Sequence, residues 1–242
     1  MADKVRVLFA CMLLMVAVPA CKYEEKPVEQ KKPEPIVIFK QKHPVLSAEQ
    51  RAELRFHDDV ISQIELAAGA EAEPFFVTVV VPSENMKGEP GFEAGRLAGF
   101  SVRTKYSEEI IGSYRPKLRA RGYLIFKSQR GYGSLPDIVT VTRGGNSYDI
   151  VKMQGTEAPG FNLGTGAIIA WLKERQAEAS FAVTGAGADW IEARFTKPPQ
   201  NMRAFAKKVA DFSPDTLDRG SGTIDSLTER MNKINGFTLV WD

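Results

Sequence analysis

Apolar and polar positions alternate differently in successive parts of this chain. "VLFACMLLMVAV" (Val7 to Val18) is an unbroken apolar run, and "KYEEKPVEQKKPEPIVIFKQKHP" (Lys22 to Pro44) mixes charge and proline with few core formers. From Leu46 onward apolar residues recur at helix and strand periods, as they do in a chain that builds a packed core.

The first helix is predicted from "LSAEQ": Ser47 with Gln50 makes a capping-box pattern, Leu46 stands as the staple, and the helix should run to about Ala68. "PFFVTVVVP" (Pro74 to Pro82) is β-branched and aromatic between prolines, a buried strand. "GEPGFEAGRLAGF" is rich in glycine and reads as a long loop. "SEEIIGSYRPKLRARG" has acids early, bases late and Gly122 as its stop, which complements a helix dipole, with Pro116 expected to kink or divide it. "YLIFKS" reads as a strand, and "DIVTVTRGGNSYDIVKM" as a β-hairpin turning at Gly144, Gly145 and Asn146.

Further on, "GTGAIIAWLKERQAEA" is helical with Ile168, Trp171 and Leu172 on one face, and "FAVTGAGADWIEARF" is a second hairpin. Met202, Phe205, Ala206 and Val209 form one amphipathic stripe, Ile224, Leu227, Met231 and Ile234 another, and "FTLVWD" is a terminal strand. The order from Tyr148 is β-α-β-β-α-α-β, ferredoxin-like with one added helix. Short hairpins and few crossovers predict an α+β fold: a mixed, largely antiparallel sheet with helices packed on it.

Composition adds limits rather than an activity. The formal charge of +2 over 242 residues gives no electrostatic reason to expect a nucleic-acid partner. The N-terminal run is shorter than the roughly 20 residues that span a bilayer. It follows Lys4 and Arg6, as a signal-peptide core does. It ends in "VPAC", which resembles the lipobox of bacterial lipoproteins, although Pro19 departs from the usual residue there. The resemblance implies lipidation of Cys21, and Lys22 after it implies the outer membrane, facing the periplasm, rather than retention at the inner one. The expected divisions are a signal peptide (1–20), the lipidated cysteine with a tether (21–45), an N-terminal globular part (46–135) and a C-terminal core (136–242).

That C-terminal core resembles a bacterial family named "domain of unknown function 4253". The resemblance is carried by "SYDIVKMQGT", "GTGAIIAWLKER", "GADWIEARF", "FSPDTLDRGSGTIDSL" and the closing "VWD". Ser213 stands where the family has cysteine, Arg219 where glutamine is common, and Val240 where the first tryptophan of a Trp-Trp-Asp ending falls. The resemblance implies membership and brings no activity with it.

Candidate chemistry is sparse. With Cys11 in the signal segment and Cys21 lipidated, no thiol remains for catalysis, disulfides or metal. His43 lies in the tether, and His57 has only Glu53 as a carboxylate one helical turn away, so no metal or other cofactor is expected. Strand alternation puts Trp190, Glu192 and Arg194 on one face of the second hairpin, and Ile191, Ala193 and Phe195 on the other. An aromatic beside an ion pair on an exposed sheet face suits a ligand or protein partner, and equally suits a cross-strand pair that only covers the sheet. In "DFSPDTLDRGSGTIDSLTER", Asp215 and Asp218 are the acids that helix capping leaves without a role, although the segment reads first as a corner between helices. The expectation is a membrane-anchored, non-enzymatic binding or interaction module. The alternatives are a hydrolase or transferase working through Asp215, Asp218 and Glu192, or an immunity-type protein that neutralises a toxin.

Overall fold

A computed structural model describes residues 43–81, 92–218 and 222–241. The chain divides into a unit Met1–Gln41, which lies outside the described residues, and a unit Lys42–Asp242. The expectations for the signal segment, Cys21 and the tether therefore fall outside the described residues.

The second unit is α+β, as the pattern predicts. Seven strands form one sheet: β1 (Glu73–Val81), β2 (Phe92–Thr104), β3 (Tyr123–Gln129), β4 (Asp137–Arg143), β5 (Ser180–Ala186), β6 (Trp190–Lys197) and β7 (Gly236–Val240). Their order across the sheet is β1-β2-β4-β3-β5-β6-β7. Each neighbouring pair is antiparallel except β3 and β5, which run parallel and meet at Lys127 and Gly185.

Helices cover the sheet from both sides. On one face α1 (Ala48–Leu54), α2 (Asp58–Ala68) and α3 (Ser107–Ala120) bury Phe100, Val102, Tyr123, Ile125, Val139 and Val141. On the other, α4 (Tyr148–Met153), α5 (Thr165–Arg175), α6 (Met202–Phe212) and α8 (Ile224–Ile234) cover Leu124, Phe126, Val183, Ile191, Phe195 and Phe237. A four-residue helix, α7 (Asp215–Asp218), links α6 to α8. Since α1–α3 pack on β2, β3 and β4, the same face of β5–β7 opens into clefts.

Several expectations change in the fold. The helix predicted from Ser47 to Ala68 is two helices, because Arg55 turns left-handed (φ 50°) and swings Phe56 against Phe100 and Tyr123. Its capping box forms as expected. The glycine-rich stretch expected as a loop is strand from Phe92 onward, where Phe92–Thr104 forms β2, and its residues 88–91 lie outside the described residues. Gly99 there passes so close to the Val141 carbonyl that a Cβ would collide with it, so glycine permits the strand pairing.

The first predicted hairpin has only one strand. Tyr148–Met153 is helical, with Tyr148, Ile150 and Val151 buried and the Asn146 side chain accepting from the Tyr148 N–H at 3.0 Å. A strand would send the adjacent Ile150 and Val151 to opposite faces, whereas a helical turn buries both with Tyr148 against the same core. The order β-α-β-β-α-α-β is therefore found from β4 rather than from Tyr148, with α4 and α7 as extra short helices. Strands β5, β6 and β7 follow chain order in the sheet, so the likeness to a ferredoxin fold is one of element order alone. Pro116 does not divide α3, whose Ile110, Ile111 and Leu118 are held in the core on both sides of it.

Candidate functional site

The site is built around a charged residue at a core-facing strand position. On β3, Tyr123, Ile125 and Lys127 share a face, and Lys127 takes the place where the alternation would put an apolar side chain. Its side chain is 8% exposed, and Nζ lies 2.7 Å from Glu108 Oε1, 3.2 Å from Glu192 Oε2 and 3.4 Å from Asp137 Oδ2. Burial opposes the charge on Lys127, but Glu192, Glu108 and Asp137 outweigh it and raise its pKa. Burial likewise pushes Glu108 and Asp137 up, and their bonds and ion pairs carry both below the usual carboxylate range.

Two further cations complete the network. Arg130 Nε donates to Glu192 Oε1 at 2.9 Å, and its guanidinium stacks 4.0 Å from the centre of the Trp190 ring. Arg194 Nη2 donates to Glu108 Oε2 at 2.7 Å, whereas its Nη1 is buried with no hydrogen-bond partner among the described residues. Lys127, Arg130 and Arg194 thus balance Glu108, Asp137 and Glu192.

Beside this network lies a cleft of ≈ 320 Å³, lined by Arg130, Arg194, Arg230, Tyr132, Thr216 and Thr238 among others. That volume falls in the range of small-molecule sites. Arg230 projects from α8, and its Nη2 donates to the Thr216 carbonyl at 3.3 Å. It has no carboxylate partner among the described residues. Burial and the neighbouring Arg130 charge hold the Arg230 guanidinium below its usual pKa. Tyr132 is exposed at the rim and adopts a left-handed backbone (φ 50°), a conformation that costs a non-glycine residue some strain.

The residues singled out in the sequence meet different fates here. Trp190, Glu192 and Arg194 do share a sheet face, with Ile191, Ala193 and Phe195 in the opposite core. They are not an exposed aromatic beside an ion pair. Trp190 is buried under Arg130, Glu192 bonds to Lys127 and Arg130, and Arg194 turns to Glu108. Asp215 is half-buried in α7, and it is not among the residues that line the cleft. The side chain of Asp218 lies outside the described residues. Among the described residues no cluster of histidine, cysteine, aspartate and glutamate is arranged to hold a metal.

The segment around Asp215 has a structural task instead. Ser213 Oγ donates to the Val240 carbonyl at 2.6 Å and accepts from the Val240 N–H at 2.8 Å. Thr216 Oγ1 lies 3.1 Å from the same N–H. Side chains of "SPDT" therefore satisfy backbone groups on the outer edge of β7, where a further strand would otherwise pair.

Sequence reasoning passed over Lys127, Arg130 and Arg230. Lys127 had a legible signal, a charge at an inward strand position. Arg230 had only a faint one, since it borders the apolar stripe of α8.

Residues 138–242 match the family model described as Domain of unknown function (DUF4253). No curated protein and no solved structure matches the chain. Among the described residues no helix is long and apolar enough to cross a membrane.

Proposed function

We propose that the protein is a lipid-anchored binding module of the bacterial cell envelope, and that it holds an anionic group in the cleft between β6, β7 and α8. The observation that carries the binding reading is the set of guanidinium donors left over there. Among the described residues Arg230 has no carboxylate and Arg194 keeps a buried Nη1 without a hydrogen-bond partner. Guanidinium forks suit carboxylate and phosphate oxygens, and the Thr238 and Tyr132 hydroxyls add neutral donors at the wall. The anchoring part of the reading rests on the apolar run before Cys21 and on the charged, proline-rich segment after it.

Catalysis by carboxylates has less behind it. Glu192 is engaged by Lys127 and Arg130, and Asp215 does not line the cleft. Titration of the full chain with citrate and with inorganic phosphate, followed through the arginine side-chain NMR signals, tests the cleft. Shifts at Arg194 and Arg230 that saturate, and that vanish in Arg230→Met, are the expected result. Unmoved signals at millimolar anion overturn the reading.

A further inference from the structure

A second groove runs along α3 and shares Arg194 with the cleft. Its helical wall is Glu108, Ile111, Gly112, Arg115, Pro116 and Arg119, a stripe at the three- and four-residue spacing of one helix face, and Thr184 and Thr196 form its sheet side. The volume is ≈ 470 Å³. Glu108 is already committed to Lys127 and Arg194. Arg115 and Arg119 have no ion-pair partner among the described residues, and burial and the Arg119 charge hold the Arg115 guanidinium below its usual pKa.

The floor of this groove is kept open at a cost to the helix. Gly112 sits inside α3, where glycine is about 1 kcal/mol worse than alanine. An added Cβ at Gly112 would meet nothing within 4 Å, so packing does not demand the glycine. One turn later Pro116 has no N–H to give, which leaves the Gly112 carbonyl without its regular helical donor. The wall therefore combines cations, the exposed ring of Pro116 beside the buried Ile111, and a backbone carbonyl without its regular donor.

We propose that this groove binds an extended acidic segment of a partner protein, with carboxylates on Arg115, Arg119 and Arg194 and a small apolar side chain over Gly112. The proposal rests on the reading of the neighbouring cleft as an anion site and names the partner that uses it. The helix stripe from Glu108 to Arg119 is about 16 Å long at the usual rise per residue, which matches about five residues of extended chain. A peptide supplies amide N–H groups at regular spacing for the Gly112 carbonyl, and a phosphodiester backbone has none. Trp190 lies buried, so it offers no stacking platform for the bases of single-stranded nucleic acid.

The test uses the full chain and an acetylated, amidated peptide of alternating glutamate and leucine, with its glutamine counterpart, heparin and a single-stranded oligonucleotide as comparisons. The glutamate peptide should bind roughly tenfold or more tighter than the glutamine peptide, since each lost charge-assisted contact is a large fraction of a weak affinity. Gly112→Leu places a side chain over the floor from a position where an added Cβ meets nothing within 4 Å. It should abolish peptide binding and leave the phosphate response at Arg230 as it was, while the thermal midpoint rises, as replacement of a helix-interior glycine implies. Arg115→Met with Arg119→Met should weaken the peptide by about tenfold or more and leave phosphate binding alone. Equal binding of the two peptides, an unaffected Gly112→Leu variant, or tighter binding of heparin or the oligonucleotide than of the glutamate peptide overturns the proposal. A phosphate response without peptide binding overturns the groove and leaves the cleft standing. Absence of both overturns both.

Discussion

Lys127 on β3 and Glu192 on β6 meet across the parallel seam of the sheet, with Nζ 3.2 Å from Oε2. Glu108 at the start of α3 and Asp137 at the start of β4 converge on the same ammonium group. One buried cation thus ties together elements that are far apart in the chain.

Removing that cation leaves three carboxylates facing one another in a partly buried site. Lys127→Met should lower unfolding free energy by about 3–5 kcal/mol, the range for breaking a buried charge network from one side. Adding Glu192→Gln to it should recover part of the loss. Urea denaturation of the single and double variants checks both steps.

The same network sets the pH response. Glu108 and Asp137 titrate below their unfolded values of about 4.3 and 3.9, so their contribution is complete above those values and is lost as pH falls through the folded ones. Lys127 titrates above its unfolded value of about 10.4, so its contribution is complete below that pH and fades as pH rises through the folded value. Stability should be flat between roughly pH 5 and 10 as far as these groups decide it, and decline outside that window. Denaturation midpoints at pH 7, 4 and 3 follow the acid limb, which should shrink in Glu108→Gln.

Ser213→Ala removes a hydroxyl that serves both the N–H and the carbonyl of Val240. The expected loss is about 1–3 kcal/mol, because buried backbone groups are left poorly satisfied. Ser213→Cys keeps a weak donor and acceptor and should lose less. Thermal unfolding ranks the variants. Hydrogen exchange at Val240 should rise in the order Ser, Cys, Ala.

If Cys21 carries the lipid, the full chain expressed in an enteric bacterium should incorporate labelled palmitate and sediment with membranes. Cys21→Ala should abolish the label. A label that persists in Cys21→Ala places the acylation elsewhere and removes the basis for the anchor.

Much of the local structure was legible because its causes are local. The stripe of Met202, Phe205, Ala206 and Val209 and that of Ile224, Leu227 and Met231 became α6 and α8, whose faces are buried as the periodicity requires. Ser47 caps α1, as its capping-box pattern predicts. Where the reading failed, a distant partner decided the outcome. Gly95 and Gly99 suggested a loop, but pairing with β1 and β4 makes a strand of that segment. The alternation in "YDIVKM" suggested a strand, but Tyr148, Ile150 and Val151 reach one core only as a helix.

The candidate site divides in the same way. Periodicity along the chain, set by the geometry of helix and strand, was enough to assign the α+β class, most elements and the shared face of Trp190, Glu192 and Arg194. It also made the segment from Ser213 to Asp218 a corner between helices. The tertiary structure alone decided that this corner closes the edge of β7, that Glu192 answers to Lys127 rather than Arg194, and that Arg230 and Arg115 are left without carboxylates among the described residues. Charge pairing acts through space over a few ångströms, and chain order does not encode which side chains the folded sheet will bring that close.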